Sequence, residues 1–123
     1  MDWQSNGYKI VQSDSPVKNE NKTYTIAEFE SLLKSKNLVL VDFHATWCAP
    51  CKQMAPTIEQ LKTDYKGKAM IEKVDVQSNK DLTKSYQISS IPGIILFKDG
   101  KEVWRHTGIA SYDELSQILN KYI

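Results

Sequence analysis

The run Leu38-Val39-Leu40-Val41-Asp42-Phe43 is apolar at nearly every position. A strand with one wet face alternates, whereas a run of this kind reads as a strand buried on both faces. Such a strand needs other elements packed against each side of it. The rest of the sequence supplies them. Thr25-Ile26-Ala27-Glu28 is a capping-box sequence, and Phe29, Leu32 and Leu33 follow at helical spacing. This predicts a helix over about 25–36. Met54, Ile58, Leu61 and Tyr65 recur every three or four positions and predict a second helix over about 50–65, with a kink at Pro56. Ala69 to Val76 reads as the next strand, and Ser78-Asn79-Lys80-Asp81 as the cap of a short helix ending near Tyr86. Ile94-Ile95-Leu96-Phe97 is another buried strand. Asp99-Gly100 is a strong hairpin signal, so Glu102 to Thr107 should pair back antiparallel. Ser111-Tyr112-Asp113-Glu114 is a second capping box, opening a helix with Leu115, Ile118 and Leu119 inward.

The resulting order is helix, strand, helix, strand, helix, strand, strand, helix. Helical crossovers imply parallel strands and the hairpin adds an antiparallel pair. The expected fold is α/β, a mixed central β-sheet flanked by helices on both faces. Residues 1–23 form a polar N-terminal extension, in which only Tyr8, Ile10 and Val11 could make a short strand or contact; residues 24–123 form the domain. A chain of 123 residues fits one domain. With 16 basic and 15 acidic residues it carries a net charge of +1, which argues against a nucleic-acid partner. No apolar run approaches a membrane-spanning length, so no membrane insertion is expected. A monomer is the default, since no apolar helix face is left over. Met1-Asp2-Trp3-Gln4 lacks a basic region followed by an apolar stretch, so no signal peptide is expected in this chain. Two compartments stay open. The polar extension tips the reading toward an exported mature form, and Met1 as the native start would make the protein cytoplasmic.

The two cysteines, Cys48 and Cys51, are separated by only two residues. A disulfide closing so small a loop stabilises little, so the pair points to chemistry rather than stapling. Trp47-Cys48-Ala49-Pro50-Cys51-Lys52 lies between a buried strand and a helix. A helix start offers unpaired N–H groups and partial positive charge, which stabilise a thiolate. Cys48, at the first turn, should present the exposed, attacking sulfur. Cys51, inside that turn, should be more buried and displace the reduced substrate. Pro50 suits a position whose N–H has no helical partner. Half a zinc site and a passive disulfide are the competing readings, but His44 and His106 stand at no usual ligand spacing, so no metal is expected. Covalent haem attachment requires His after the second cysteine, where this chain has Lys52.

The segment from Val41 to Lys52, with Pro56 following, resembles the active-site segment of the thioredoxin family. Lys73-Val74-Asp75-Val76, Ile88-Ser89-Ser90-Ile91-Pro92-Gly93, Phe97-Lys98-Asp99-Gly100 and Gly108 fall in the family's order and spacing, so the resemblance covers residues 25–123. It implies the thioredoxin fold and a protein-disulfide reductase working through a Cys48–Cys51 dithiol–disulfide pair, without a cofactor. By the same resemblance Asp42 is the buried proton acceptor for Cys51 and Lys73 is its neighbour. An acid inside an apolar strand should have its pKa raised by desolvation. Ile91-Pro92 matches the family's cis-proline loop, whose backbone can pair with an extended substrate. Trp47, Ala49, Pro50, Ile91, Pro92, Thr107, Gly108 and Ile109 would form an apolar rim around Cys48 that holds polypeptide substrates.

Three positions depart from the family pattern. Ala49 stands where Gly is usual, which should change little. His44 stands where bacterial members usually carry Trp; it introduces a titratable group, read here as an ordinary solvated or hydrogen-bonded histidine. Gly93 replaces Thr after the proline and should remove a side chain from the substrate groove. The partners implied are disulfide-containing proteins and an upstream reductase or membrane thiol carrier. The alternatives are a disulfide oxidase or isomerase using the same pair, a non-catalytic binding module using the rim, and, weakest, a zinc protein.

Overall fold

The computed structural model describes residues 23–123. The readings at Tyr8, Ile10 and Val11 lie outside the described residues. The elements are α1 (Ile26–Ser35), β1 (Leu38–His44), α2 (Ala49–Asp64), β2 (Met70–Asp75), α3 (Lys80–Ser85), β3 (Gly93–Lys98), β4 (Lys101–Thr107) and α4 (Tyr112–Tyr122). The order is the one predicted from periodicity, and α2 runs on through Pro56.

Among the described residues four strands form a sheet in the order β2-β1-β3-β4. Every residue of β1 is buried, as its apolar run requires. The period of two divides its side chains between two cores. Leu38 and Leu40 face α2 and α4, joining Met54, Ile58, Leu61, Leu115 and Leu119. Val39, Val41 and Phe43 face α1 and α3, joining Phe29, Leu33 and Leu82. β1 and β2 are parallel, whereas β1–β3 and β3–β4 are antiparallel.

Only one of the helical crossovers therefore joins parallel strands. α3 is only six residues long and spans about 9 Å, against roughly 20 Å for a six-residue strand, and β3 enters from the end where β2 leaves.

The capping signals differ in outcome. Thr25 Oγ1 accepts from Glu28 N at 3.0 Å while Glu28 Oε1 accepts from Thr25 N at 2.9 Å, a complete box. Ser111 Oγ accepts from Glu114 N at 3.1 Å. Asn79 precedes α3 but makes no side-chain cap. Its amide instead donates to Asp75 O at 3.0 Å and accepts from Tyr24 N at 2.8 Å, tying the entry of α1 to the end of β2. At the hairpin, Asp99 and Gly100 both take positive φ, 52° and 85°, as a two-residue turn requires.

These directions give the molecule two unlike ends. β1, β2 and β4 finish, and α2, β3 and α4 begin, at the end that carries the cysteines. At the opposite end the last turn of α4 is held by Lys98, whose Nζ donates to Tyr122 O at 3.1 Å.

Candidate active site

The first turn of α2 is built around its cap. Cys48 is the N-cap residue, with extended backbone, and its Sγ accepts from Cys51 N at 3.2 Å. Pro50 lies in the first turn, where its missing N–H leaves no helical bond unmade. Cys48 N donates to Ala45 O and Lys52 N to Cys48 O, which fixes the turn on both sides. Cys48 and Cys51 are joined as a disulfide with their Cα atoms 5.2 Å apart.

The two cysteines are almost equally covered, 5% and 6% exposed. The expected contrast between an open Cys48 and a buried Cys51 is absent from this oxidised form. Both belong to one small cluster with Ala45, against which Val76 and Ile91 pack. What separates them is their surroundings. Cys51 lines a cavity of about 190 Å³ together with Asp42, His44, Ala45, Thr46, Lys52, Ala55 and Lys73. Cys48 does not line it.

Asp42 is 2% exposed, and its even position on β1 aims it at the α2 face. Its direct cross-strand partner in β2 is Lys73. Burial raises its pKa to about 6 from the ordinary 3.8, and the positive charges of Lys73 and Lys62 pull it part of the way back. Asp42 Oδ1 is buried without a hydrogen-bond partner. A site of this kind favours the neutral carboxyl, and the cavity beside it is large enough for several water molecules.

The rim residues separate by depth. Trp47 and Ile109 are 63% and 51% exposed. Ala49, Pro50 and Thr107 are exposed, while Ile91 and Gly108 are half-buried. Pro92 is buried, so it supports the rim from beneath rather than forming its surface. The Ile91–Pro92 peptide is cis. Gly108 N donates to Pro92 O at 2.8 Å, joining the two loops that flank the cysteines. Gly108 has φ +97°, a conformation that favours glycine.

Two readings of the departures need correction. A Cβ at Gly93 would lie 3.2 Å from Ser90 O and 3.3 Å from Ile88 Cγ2. A side chain there would start pressed against the preceding loop rather than in open space. Of the two forms that the reading of His44 allowed, solvated or hydrogen-bonded, the first is overturned: it is 6% exposed and lines the cavity with Asp42 and Cys51. Asp75, 3% exposed and paired in register with His44, is a further buried polar group that sequence reasoning missed. The usable signal was spacing: in a strand buried throughout, residues 42 and 44 share a face, as do 73 and 75.

Among the described residues no group of three or more His, Cys, Asp or Glu stands where it could hold a metal ion. Nor is any described helix long and apolar enough to cross a membrane.

Comparison with known proteins gives a consistent result. The family model for thioredoxin matches residues 20–121. The chain is 44% identical over 99 residues to a thioredoxin of Staphylococcus aureus, covering 80% of this chain and 94% of that one. The solved structure of Plasmodium falciparum thioredoxin superposes with a TM-score of 0.71 at 38% identity, covering 79% of this chain and 93% of the other. An N21Q mutant thioredoxin from Halobacterium salinarum gives 0.73 at 28% identity, with coverages of 86% and 95%.

Proposed function

The chain belongs to the thioredoxin family and is a thiol–disulfide oxidoreductase that reduces protein disulfides, and from that premise we propose how its residues divide the reaction. In the reduced protein Cys48 is the nucleophile. The N–H of Cys51, aimed at Cys48 Sγ, and the start of α2 stabilise its thiolate. The thiolate attacks one sulfur of a substrate disulfide, forms a mixed disulfide, and expels the other sulfur as a thiolate. Cys51 is the resolving residue. Its proton passes to Asp42, directly or through water in the shared cavity, and its thiolate then attacks Cys48 Sγ. The second substrate thiolate leaves, and the Cys48–Cys51 disulfide closes. Two electrons pass from the pair to the substrate.

One observation carries this division: Asp42 and Cys51 line the same cavity, and Cys48 does not. Lys73 tunes the acid across the strand pair. Trp47, Ala49, Pro50, Ile91, Thr107, Gly108 and Ile109, with Pro92 beneath them, receive an extended polypeptide. Residues 24–123 are the working unit, and it acts as a monomer. Members of the family act on disulfide-bearing proteins and are recharged by a reductase. For this chain the donor is an NADPH-linked reductase or a membrane thiol carrier.

The test is insulin-disulfide reduction. Cys48→Ser should abolish turnover. Cys51→Ser should accumulate a covalent adduct with the substrate that dithiothreitol releases. Full activity in Cys48→Ser would overturn the scheme.

A further inference from the structure

The reaction above leaves His44 unused, although His44 stands among the groups that move the proton. Residues two apart on a strand share a face and lie about 7 Å apart along it. His44 is therefore the next side chain after Asp42 on the α2 side, one step closer to the loop that leads to Cys48. The cavity lining runs from buried Asp42, His44, Ala45 and Cys51 through partly exposed Ala55 and Lys73 to exposed Thr46 and Lys52, and its most exposed members stand at the His44 end of the strand. Asp42 itself is 2% exposed. This end offers a way out for a proton received from Cys51.

We infer that His44 is a positioning residue for the disulfide exchange, acting through Asp42: it relays the proton that Asp42 takes from Cys51 to water at the cavity mouth beside Thr46 and Lys52. The inference rests on Asp42 being the proton acceptor. The step moves a proton from the Asp42 carboxyl to an imidazole nitrogen of His44, and the imidazolium then gives it to water. No heavy-atom bond changes and no electrons are transferred. In the recharging half-reaction the same path runs inward.

The surroundings suit an imidazole that changes charge. From β1 it meets Asp42, and from β2 Asp75 and Lys73 lie on the same face. From α2, Cys51 and Lys52 share its cavity. Lys62, also on α2, acts on Asp42 as Lys73 does. One oxygen of Asp75 is already engaged by the N–H groups of Gln77 and Ser78. β3, on the other side of β1, sets only Ile94 and Gly93 opposite Asp42 and Phe43. Histidine is the side chain whose ordinary ionisation falls nearest neutrality, and Asp42 is held at about 6, so a proton can pass between such groups with little driving force needed in either direction.

The experiment compares full-length wild type, His44→Gln, His44→Ala and Asp42→Asn. Turnover of a protein disulfide is followed across pH, alongside the rate of Cys48 alkylation by iodoacetamide in the reduced proteins. Alkylation reads the nucleophile alone and reports whether the site is intact. His44→Gln should lose about tenfold in turnover near pH 7, less than a direct acid–base group because water remains in the cavity. Its pH profile should lack an ionisation that the wild type shows, with Cys48 alkylation unaltered. Imidazole should restore turnover to His44→Ala, and pyrazole, of similar size and far weaker basicity, should not. Wild-type turnover and pH profile in His44→Gln, with Asp42→Asn slow, would overturn the relay and leave Asp42 as acceptor. Equal rescue by pyrazole would reduce His44 to filling space. Full turnover in Asp42→Asn would remove both assignments together.

Discussion

Asp42 shows what a single buried acid does to the molecule that holds it. Its value in the folded protein, about 6, lies above its ordinary 3.8. Between those values the folded state holds a proton that the unfolded chain has released. Stability is therefore greatest below this window, falls as pH rises through it, and stays lower above it. A displacement of this size corresponds to about 3 kcal/mol. Oxidised Asp42→Asn should accordingly be more stable than wild type in urea by about 1–3 kcal/mol near pH 8, with the gain shrinking toward zero near pH 3.5. Equal stabilisation at both pH values would mean that ionisation is not the cause. This acid was legible in the sequence because an Asp stands out in an apolar strand. His44 was not, because a histidine at a strand end reads equally well as solvated, and its burial depends on the loop and on α2 folding over it.

At the scale of elements, short-range signals held where the partners were close in sequence. Thr25 with Glu28 forms the whole box as spelled, and Ser111 caps α4 with its own half of one. Asn79 did not, because its amide was taken by Tyr24, 55 residues away, and by Asp75. No local pattern reveals such competition. The antiparallel placement of β3 was likewise hidden, since the periodicity of a segment does not carry its direction in the sheet. The hairpin gives a prediction at this scale. Gly100 has φ +85°, and a Cβ there would lie 3.0 Å from Lys34 Cγ on α1. Gly100→Ala should lower stability by about 1–2 kcal/mol, read as a drop in the urea midpoint with the slope unchanged. Thr25→Ala, losing one half of the box, should cost about 1 kcal/mol by the same measurement.

Across the whole molecule, a sheet whose central strand β1 is buried throughout separates two cores, and each depends on a different pair of helices. Leu115 is completely buried in the α2–α4 core. Leu115→Ala should cost about 2–5 kcal/mol, and the loss should appear equally in oxidised and reduced protein, because the cysteines lie outside that core. The rim behaves in the opposite way. Trp47 is mostly exposed, so Trp47→Ala should move the unfolding midpoint little while raising KM for a protein disulfide by about tenfold, or about 1.4 kcal/mol. A fall in kcat with KM unchanged would instead place Trp47 in the chemistry. The thioredoxin pattern made the site readable in advance, since three of its separate segments, around Cys48, Ile91-Pro92 and Gly108, meet at the cysteine end.

The polarity of the fold also governs how the protein can be tethered. α1 begins at the cysteine end, where Tyr24 is fastened to Asn79, and α4 finishes at the opposite end, beside Lys98. Tyr24 therefore sits at the cysteine end, and a linker, label or carrier joined after Ile123 departs from the far pole. Immobilised through the carboxyl terminus, the molecule would face its substrates.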